Sequence, residues 1–288
     1  MVERVVRAHR VVGRILSGVK RGGIHILLTG GAILFTIPFL WMVSTSLKAP
    51  ADILLVPPKW IPDPIVWRNY PEAWTSLPFN KFLLNTCTIT LFSIIGTVFS
   101  CPLVAFSFSR LRFPGRDFWF VVLIATMMLP MHVTMIPRFI LFQKLGWLNT
   151  FNPLIVPAYF GSAFYIFLLR QFFMTLPREL DDAAVIDGCN TFGIYWQIIL
   201  PLAKPALAAV AVFSFISNWN AFLAPLIYLT DMEKMTIAVG LQMFRGQYTT
   251  EMHLLMAAST VAVLPILIVF FIAQKYFIQG IVLTGMKG

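Results

Sequence analysis

The sequence predicts an all-α membrane protein with six transmembrane helices. Three observations point there. Of 288 residues, 58% are hydrophobic and only 12% charged, about half the charged share of a soluble domain. The mean hydropathy is +0.80. The charges fall in clusters separated by long apolar runs, and six of those runs reach the roughly 20 residues a helix needs to cross a hydrocarbon core. A secreted, nucleic-acid-binding or disordered protein is excluded by this composition.

The six charge-free runs are Ile24–Leu47, Phe82–Ser109, Phe118–Pro137, Leu145–Leu169, Pro205–Thr230 and Met252–Gln274. They lack the alternating pattern of an outer-membrane barrel. The first run is too long for a cleaved leader, and Lys48 follows it without a small-x-small site, so it reads as a retained anchor. With the N-terminus inside, the inner segments hold 14 of the 22 Lys and Arg and the outer ones 8. That bias places both termini in the cytoplasm. The chain then divides into a basic amphipathic N-terminal segment at 1–23, a six-helix membrane domain at 24–277 and a tail at 278–288.

In the N-terminal segment, Val2, Val5, Val12, Leu16 and Val19 can share one helical face, with Arg4, Arg7 and Arg14 off it. An interfacial helix and a frayed basic tail that only sets topology fit this pattern equally. The first outer segment carries Pro50, Pro57, Pro58, Pro62, Pro64, Pro71 and Pro78, which argues against a long helix there. Its Trp60, Trp67 and Trp74 read as an aromatic belt, with contact to an external partner as the alternative. Cys87 and Cys101 share one run, about 20 Å apart if it is one helix, too far to bridge. With Cys189 they read as free thiols. The histidines, His9, His25, His132 and His253, show no metal-ligand spacing.

The longest inner connection, 174–204, is the most informative. Pro177 suits a first helical turn. Glu179, Asp181 and Asp182 follow where a helix dipole favours anions, and Ala183 and Ala184 are strong helix formers. Gly188 permits a left-handed stop. Asn190 or Thr191 can cap a second helix, to which Phe192, Tyr195, Trp196 and Ile199 give an apolar side. Pro201 and Pro205 separate it from the next span. The pattern predicts a helix–turn–helix between spans four and five, with small residues that allow close approach by another protein.

Here the sequence resembles the permeases of binding-protein-dependent ABC importers. Their loop reads Glu-Ala-Ala, three residues, Gly, nine residues, Ile, one residue, Leu-Pro. This chain has Asp182-Ala183-Ala184, Gly188, Ile198, Leu200 and Pro201, with every gap matching and Asp182 standing for Glu. It looks like the second permease subunit of maltose-type carbohydrate importers. Supporting stretches are 110–116, 145–150, Asn218-Trp219-Asn220 with Pro225, and the end of the chain, where Gly280-Ile281-Val282 departs from the family's Gly-Leu-Thr.

The resemblance implies a heterodimer with a second permease, two cytoplasmic ABC ATPase subunits and an extracytoplasmic solute-binding protein, in a bacterial or archaeal inner membrane. It implies that Asp182, Ala183, Ala184, Asp187, Gly188, Ile198, Leu200 and Pro201 dock the ATPases. The chain has no phosphate loop of its own, so ATP and Mg2+ would sit on the partner ATPases, and this chain is not an enzyme. The outer segment Asp231–Glu251 matches the position of a loop that can reach the binding protein, with an ordinary solvated loop as the alternative. The tail Gly280–Gly288 matches a segment that can touch the ATPases.

Polar residues assigned to membrane runs and their margins, Asn85, Asn218, Asn220, Gln242 and His132, are costly in lipid and face protein or water. Asn85, Asn218, Trp219 and Asn220 are candidates for the solute pathway, since amides pair with sugar hydroxyls and an indole covers a pyranose. Interhelical hydrogen bonding is the alternative for each Asn. His132 reads as a satisfied buried histidine beside a kink. A polyol or phosphorylated solute fits the same machinery. An ion-coupled transporter would need intramembrane carboxylates, and none of the six runs has Asp or Glu. A membrane enzyme would need a convergent site, and none stands out.

Overall fold

A computed structural model describes the backbone of residues 2–246 and 251–285, and the side chains of 22–246 and 251–274. Among the described residues the elements are helical, in the order α1 (Val2–Ser46), α2 (Asn69–Ser76), α3 (Phe79–Arg110), α4 (Arg116–Ala125), α5 (Met131–Lys144), α6 (Asn152–Ile155), α7 (Ala163–Thr175), α8 (Glu179–Ile186), α9 (Thr191–Gly193), α10 (Leu200–Leu202), α11 (Lys204–Trp219), α12 (Leu223–Tyr228), α13 (Ile237–Gln242) and α14 (Met252–Gly285). Among the described residues, four helical stretches are long and apolar enough to span a membrane: Gly22–Ser46, Phe79–Arg110, Asn152–Thr175 and Met252–Gln274. Two bent pairs, Arg116–Met128 with Met131–Lys144 and Thr191–Leu202 with Lys204–Trp219, raise the count to six if each is one span.

Those bends correct the expectation of straight runs. The third run, Phe118–Pro137, is broken by 97°. Pro130 disfavours helical geometry in the residue before it, and Leu129 is extended at φ −77, ψ 115. The fourth run begins later than Leu145: residues 145–150 form a turn with Gly146 and Asn149 at positive φ, and helix starts at Asn152. The fifth is not continuous either. α11 stops at Trp219, and α12 restarts at Leu223, because Pro225 has no N–H to offer the carbonyl of Ala221.

The chain divides into two units, Met1–Ala73 with Thr250–Thr260, and Trp74–Thr249 with Val261–Gly288. In the first, α1 runs unbroken from Val2 through the apolar stretch. Side chains of the basic N-terminal segment lie outside the described residues. The end of α1 is clipped to the proline-rich segment: Asn69 Nδ2 donates to the carbonyls of Ser46 and Lys48, both at 2.9 Å, and Ser46 Oγ meets Tyr70 OH at 2.8 Å. Lys48 is fully buried, its Nζ 3.8 Å from the Trp41 ring centroid. Burial pushes its ammonium pKa down, against a smaller upward pull from Asp52. Trp60 meets Trp41 edge-on, and Trp67 is exposed.

In the second unit α3 is the central helix, packed against α7, α11 and the 3₁₀ turn Val156–Phe160. Cys87 and Cys101 lie on it as free thiols. Trp74 stacks on Phe79 and donates to Asn80 Oδ1 at 2.7 Å, so it packs within protein.

The segment Asp231–Glu251, described apart from residues 247–250, is tied down. Asn85 Nδ2 donates to the carbonyls of Glu233 and Met235 at 2.8 and 3.0 Å. Thr86 Oγ1 accepts the Ile237 N–H at 3.0 Å, and Lys81 pairs with Glu233. Asn149, at φ +58, accepts the N–H groups of Thr230 and Asp231 and receives Lys234 Nζ on its carbonyl. These bonds satisfy backbone that would otherwise be left bare. The helix α14 continues through Gly285; the last part of the tail segment lies outside the described residues.

α13 approaches α3 so closely that a methyl group on Gly240 would lie 2.4 Å from the Phe82 ring, and Phe82 is fully buried. Gly240→Ala should therefore cost about 1–3 kcal/mol of stability. Thermal unfolding in detergent checks this, and Phe82→Leu in the same chain should recover part of the loss.

Candidate functional site

The helix–turn–helix forms where the sequence places it, with one shift at its start. Pro177 precedes α8 rather than entering its first turn. Arg178 occupies the cap position, and its carbonyl accepts the N–H groups of Asp181 and Asp182 at 2.9 and 3.1 Å. Glu179, Asp181 and Asp182 lie in the first turn, where the dipole favours them. At the other end the Cys189 N–H reaches the Ala184 carbonyl at 2.9 Å and the Gly188 N–H the Val185 carbonyl at 3.0 Å. With Gly188 at φ +83, this is a Schellman stop.

Asn190 restarts the helix, its Oδ1 accepting the Gly193 N–H at 2.7 Å. After α9 the chain widens into a π-helix over Ile194–Ile199, then returns to α spacing in α10. Pro201 lies in α10; it cannot donate to the Gln197 carbonyl, and its ring crowds that carbonyl. α11 leaves at 76°.

The element has two faces. Ala184, Ile194, Tyr195, Ile199 and Ala203 join one core with Cys101, Ala105 and Phe106 of α3 and Leu169 and Phe173 of α7. The Tyr195 and Phe106 rings are 5.2 Å apart. On the other face Val185, Ile186, Phe192 and Trp196 are exposed, Ile186 at 86%. Phe192 and Trp196 stack with centroids 6.3 Å apart. The sequence assigns Phe192, Tyr195, Trp196 and Ile199 to one apolar side; the structure splits them between core and surface. Asp182, Ala183, Asp187, Gly188 and Pro201 are exposed, and Ile198 and Leu200 are half-buried.

Arg110, which opens the family-like stretch 110–116, anchors the element. It is 4% exposed at the end of α3. Its Nη1 lies 3.2 Å from Asp181 Oδ2, and its Nη2 donates to the Leu176 carbonyl at 3.0 Å. One guanidinium thus ties α3 to both the link after α7 and the first turn of α8. Among the described residues, Arg110 Nε and Asp181 Oδ1 are buried without a hydrogen-bond partner. Burial pushes the Asp181 carboxyl above its ordinary range, and Arg110 pulls it back only in part.

The pathway candidates do not converge. Asn85 bonds the 233–235 backbone, as above. Asn218 Nδ2 returns to the Ser214 carbonyl at 2.8 Å, and Asn220 Nδ2 to the Ile216 carbonyl at 2.8 Å. Trp219 is buried, its indole donating to the Ala262 carbonyl at 3.1 Å. Gln242 is exposed on α13. His132 is exposed on α5, which corrects the expected buried histidine: the break at Pro130 turns this helix so that its first turn stands clear of the core. A cavity of about 440 Å³ lies elsewhere, with Met131, Met135, Arg138, Phe142, Trp147 and Tyr228 in its wall. No pathway candidate lines it.

The chain matches the family described as binding-protein-dependent transport system inner membrane component over residues 96–282. It is 34% identical over 261 residues to the arabinooligosaccharides transport system permease protein AraQ of Bacillus subtilis (strain 168), covering 89% of this chain and 92% of that one. It is 33% identical over 267 residues to the sn-glycerol-3-phosphate transport system permease protein UgpE of Yersinia pestis bv. Antiqua (strain Antiqua), covering 90% and 94%. Its fold is similar, with a TM-score of 0.76 and 26% identity, to a chain in the crystal structure of a bacterial ABC transporter involved in the import of the acidic polysaccharide alginate. That likeness covers 92% of this chain and 97% of the other.

The Arg110–Asp181 pair is testable as a unit. Arg110→Met strands a buried carboxylate and should lower stability by about 3 kcal/mol. Arg110→Met with Asp181→Leu should recover most of that, as read by thermal unfolding of the purified protein. The folded Asp181 binds its proton more tightly than the unfolded one. Its contribution to stability is therefore greatest below the ordinary value of 3.8 and declines as pH rises through the raised one.

Proposed function

Because the chain belongs to the family of binding-protein-dependent transport system inner membrane components, we propose that it is a permease subunit of an ATP-driven ABC importer for a carbohydrate. In this reading both termini are cytoplasmic, and the chain shares the solute pathway with a second permease. An extracytoplasmic binding protein delivers the solute. Two ATPase subunits, which carry ATP and Mg2+, dock on the 174–204 loop through Asp182, Ala183, Ala184, Asp187, Gly188, Ile198, Leu200 and Pro201. Closure of the ATPases then biases the pathway between inward- and outward-facing states through their differential binding to the two.

The observation that carries the reading is the two-faced helix–turn–helix. A short element that buries Ala184 and Ile199 on α3 and α7 while exposing Val185, Ile186, Phe192 and Trp196 has the form of a docking knob, since such an apolar patch marks an interaction surface. The core on its inner side gives a push on the knob a rigid route to α3 and α7. A polyol or phosphorylated solute is the second reading, favoured by the similarity to a glycerol-3-phosphate permease.

Ile186→Asp with Phe192→Asp should strip the ATPase subunits from the complex during purification, as read by gel filtration. These side chains are exposed, so the membrane part should stay folded. Gly188→Pro forces φ to about −65° where the turn has +83; the assembled complex should keep ATPase activity but lose transport in vesicles. Wild-type transport by that variant would argue against a rigid coupling turn.

A further inference from the structure

A second cytoplasmic feature lies beside the docking element in the proposed orientation. Arg112, Phe113, Gly115, Arg116, Asp117, Phe118 and Arg178 surround an open hollow of about 530 Å³. Three guanidiniums from two separate segments face one space. Arg116 is paired, its Nε 3.0 Å from Asp117 Oδ1, and it also donates to the Leu111 carbonyl at 3.5 Å. Arg112 and Arg178 are exposed, and among the described residues neither side chain has a hydrogen bond or ion pair. Of the nearby carboxylates, Asp181 is held by Arg110 and Asp117 by Arg116, and Glu179 and Asp182 follow Arg178 in the first turn of α8 without lining the hollow.

Phe113 and Phe118 stand among the charged groups that line the hollow, and Trp119 follows Phe118 along the chain. Phe118 and Trp119 are 64% and 56% exposed in the first turn of α4, and the rest of α4 is uncharged. The hollow therefore sits where an apolar span meets a cationic loop. A free anion in water would need no aromatic neighbours. A ligand with a phosphate head and hydrocarbon tails needs both, with Trp and Phe at headgroup level and Arg on the phosphate.

We propose that this hollow binds the phosphodiester headgroup of an anionic phospholipid of the inner leaflet, held by Arg112 and Arg178 with its acyl chains along Phe118 and α4. The inner leaflet is negatively charged, and each basic side chain near such a surface adds to binding. Arg178 is the residue that caps α8. The bound lipid thus touches the base of the docking element and links its position to the charge of the membrane. The proposal rests on the orientation given under the proposed function, but not on the transported solute or on ATPase docking.

The test is lipid retention by the assembled transporter in vesicles of phosphatidylcholine with about one-third phosphatidylglycerol, a composition set to supply anionic lipid in excess. Spin-labelled phosphatidylglycerol should be retained in preference to spin-labelled phosphatidylcholine. Arg112→Gln with Arg178→Gln should reduce that preference about tenfold or more, the scale for two cationic side chains at a membrane surface. Arg112→Lys with Arg178→Lys should keep most of it. Should the double Gln variant fail to assemble, Arg112→Gln alone must still weaken the preference.

Equal preference in the Gln variant and wild type overturns the proposal. Displacement of the label by millimolar inorganic phosphate also overturns it, in favour of a soluble anion. Loss of the ATPase subunits from the Gln variant with lipid preference unchanged overturns it too, and assigns the arginines to a protein partner. Failure of transport with lipid preference intact would count against the proposed function instead.

Discussion

Close burial of small side chains against a central helix underlies this molecule. Ala184 and Ala203 present no more than a methyl group, and so bring the backbone of the helix–turn–helix down onto α3 and α7. Ile199 and Tyr195 fill the space between. A dense apolar contact of this kind transmits displacement, because protein interiors pack at crystal density and yield little. A larger residue at either alanine would lift the element off its support. The outward display of Ile186, Phe192 and Trp196 depends on that inner seat, since one short element cannot bury all its apolar residues on one side.

Charge is used sparingly, and each use has a distinct physical role. Arg110 is withdrawn from solvent and bound to Asp181 and to Leu176, which stitches three segments at one point. Arg170 lays its guanidinium 3.9 Å from the Phe120 ring centroid and donates to the Phe108 carbonyl at 3.2 Å. Arg112 and Arg178 stay outside, and among the described residues neither side chain has a hydrogen bond or ion pair. Buried pairs of this kind contribute specificity of position more readily than net stability, which suits an element whose placement matters more than its strength.

Backbone satisfaction explains the rest of the second unit. Each break in a helix exposes N–H and C=O groups that need partners wherever protein covers them. At the 145–150 turn Asn149 supplies them, accepting two N–H groups on its side chain and bonding the Tyr228 carbonyl through its own N–H at 2.8 Å. At the start of α3, Asn85 and Thr86 do the same for residues 233–237. The amides that looked available for a solute are thus employed in holding the chain to itself.

What the sequence by itself determined is the local chemistry. The apolar runs marked the helices, since hydropathy over about 20 residues is a property of the segment alone. The acidic turn, Gly188 and Asn190 marked the helix–turn–helix, because caps and left-handed stops act within a few residues. Only the tertiary structure decided which of Phe192, Tyr195, Trp196 and Ile199 are covered, that Trp219 is buried while His132 is not, and that Arg110 meets Asp181. Those outcomes depend on partners dozens of residues away and on the 97° turn at Pro130. A proline announces a break in the sequence, but the direction of the bend is set by the side chains that pack on either side of it.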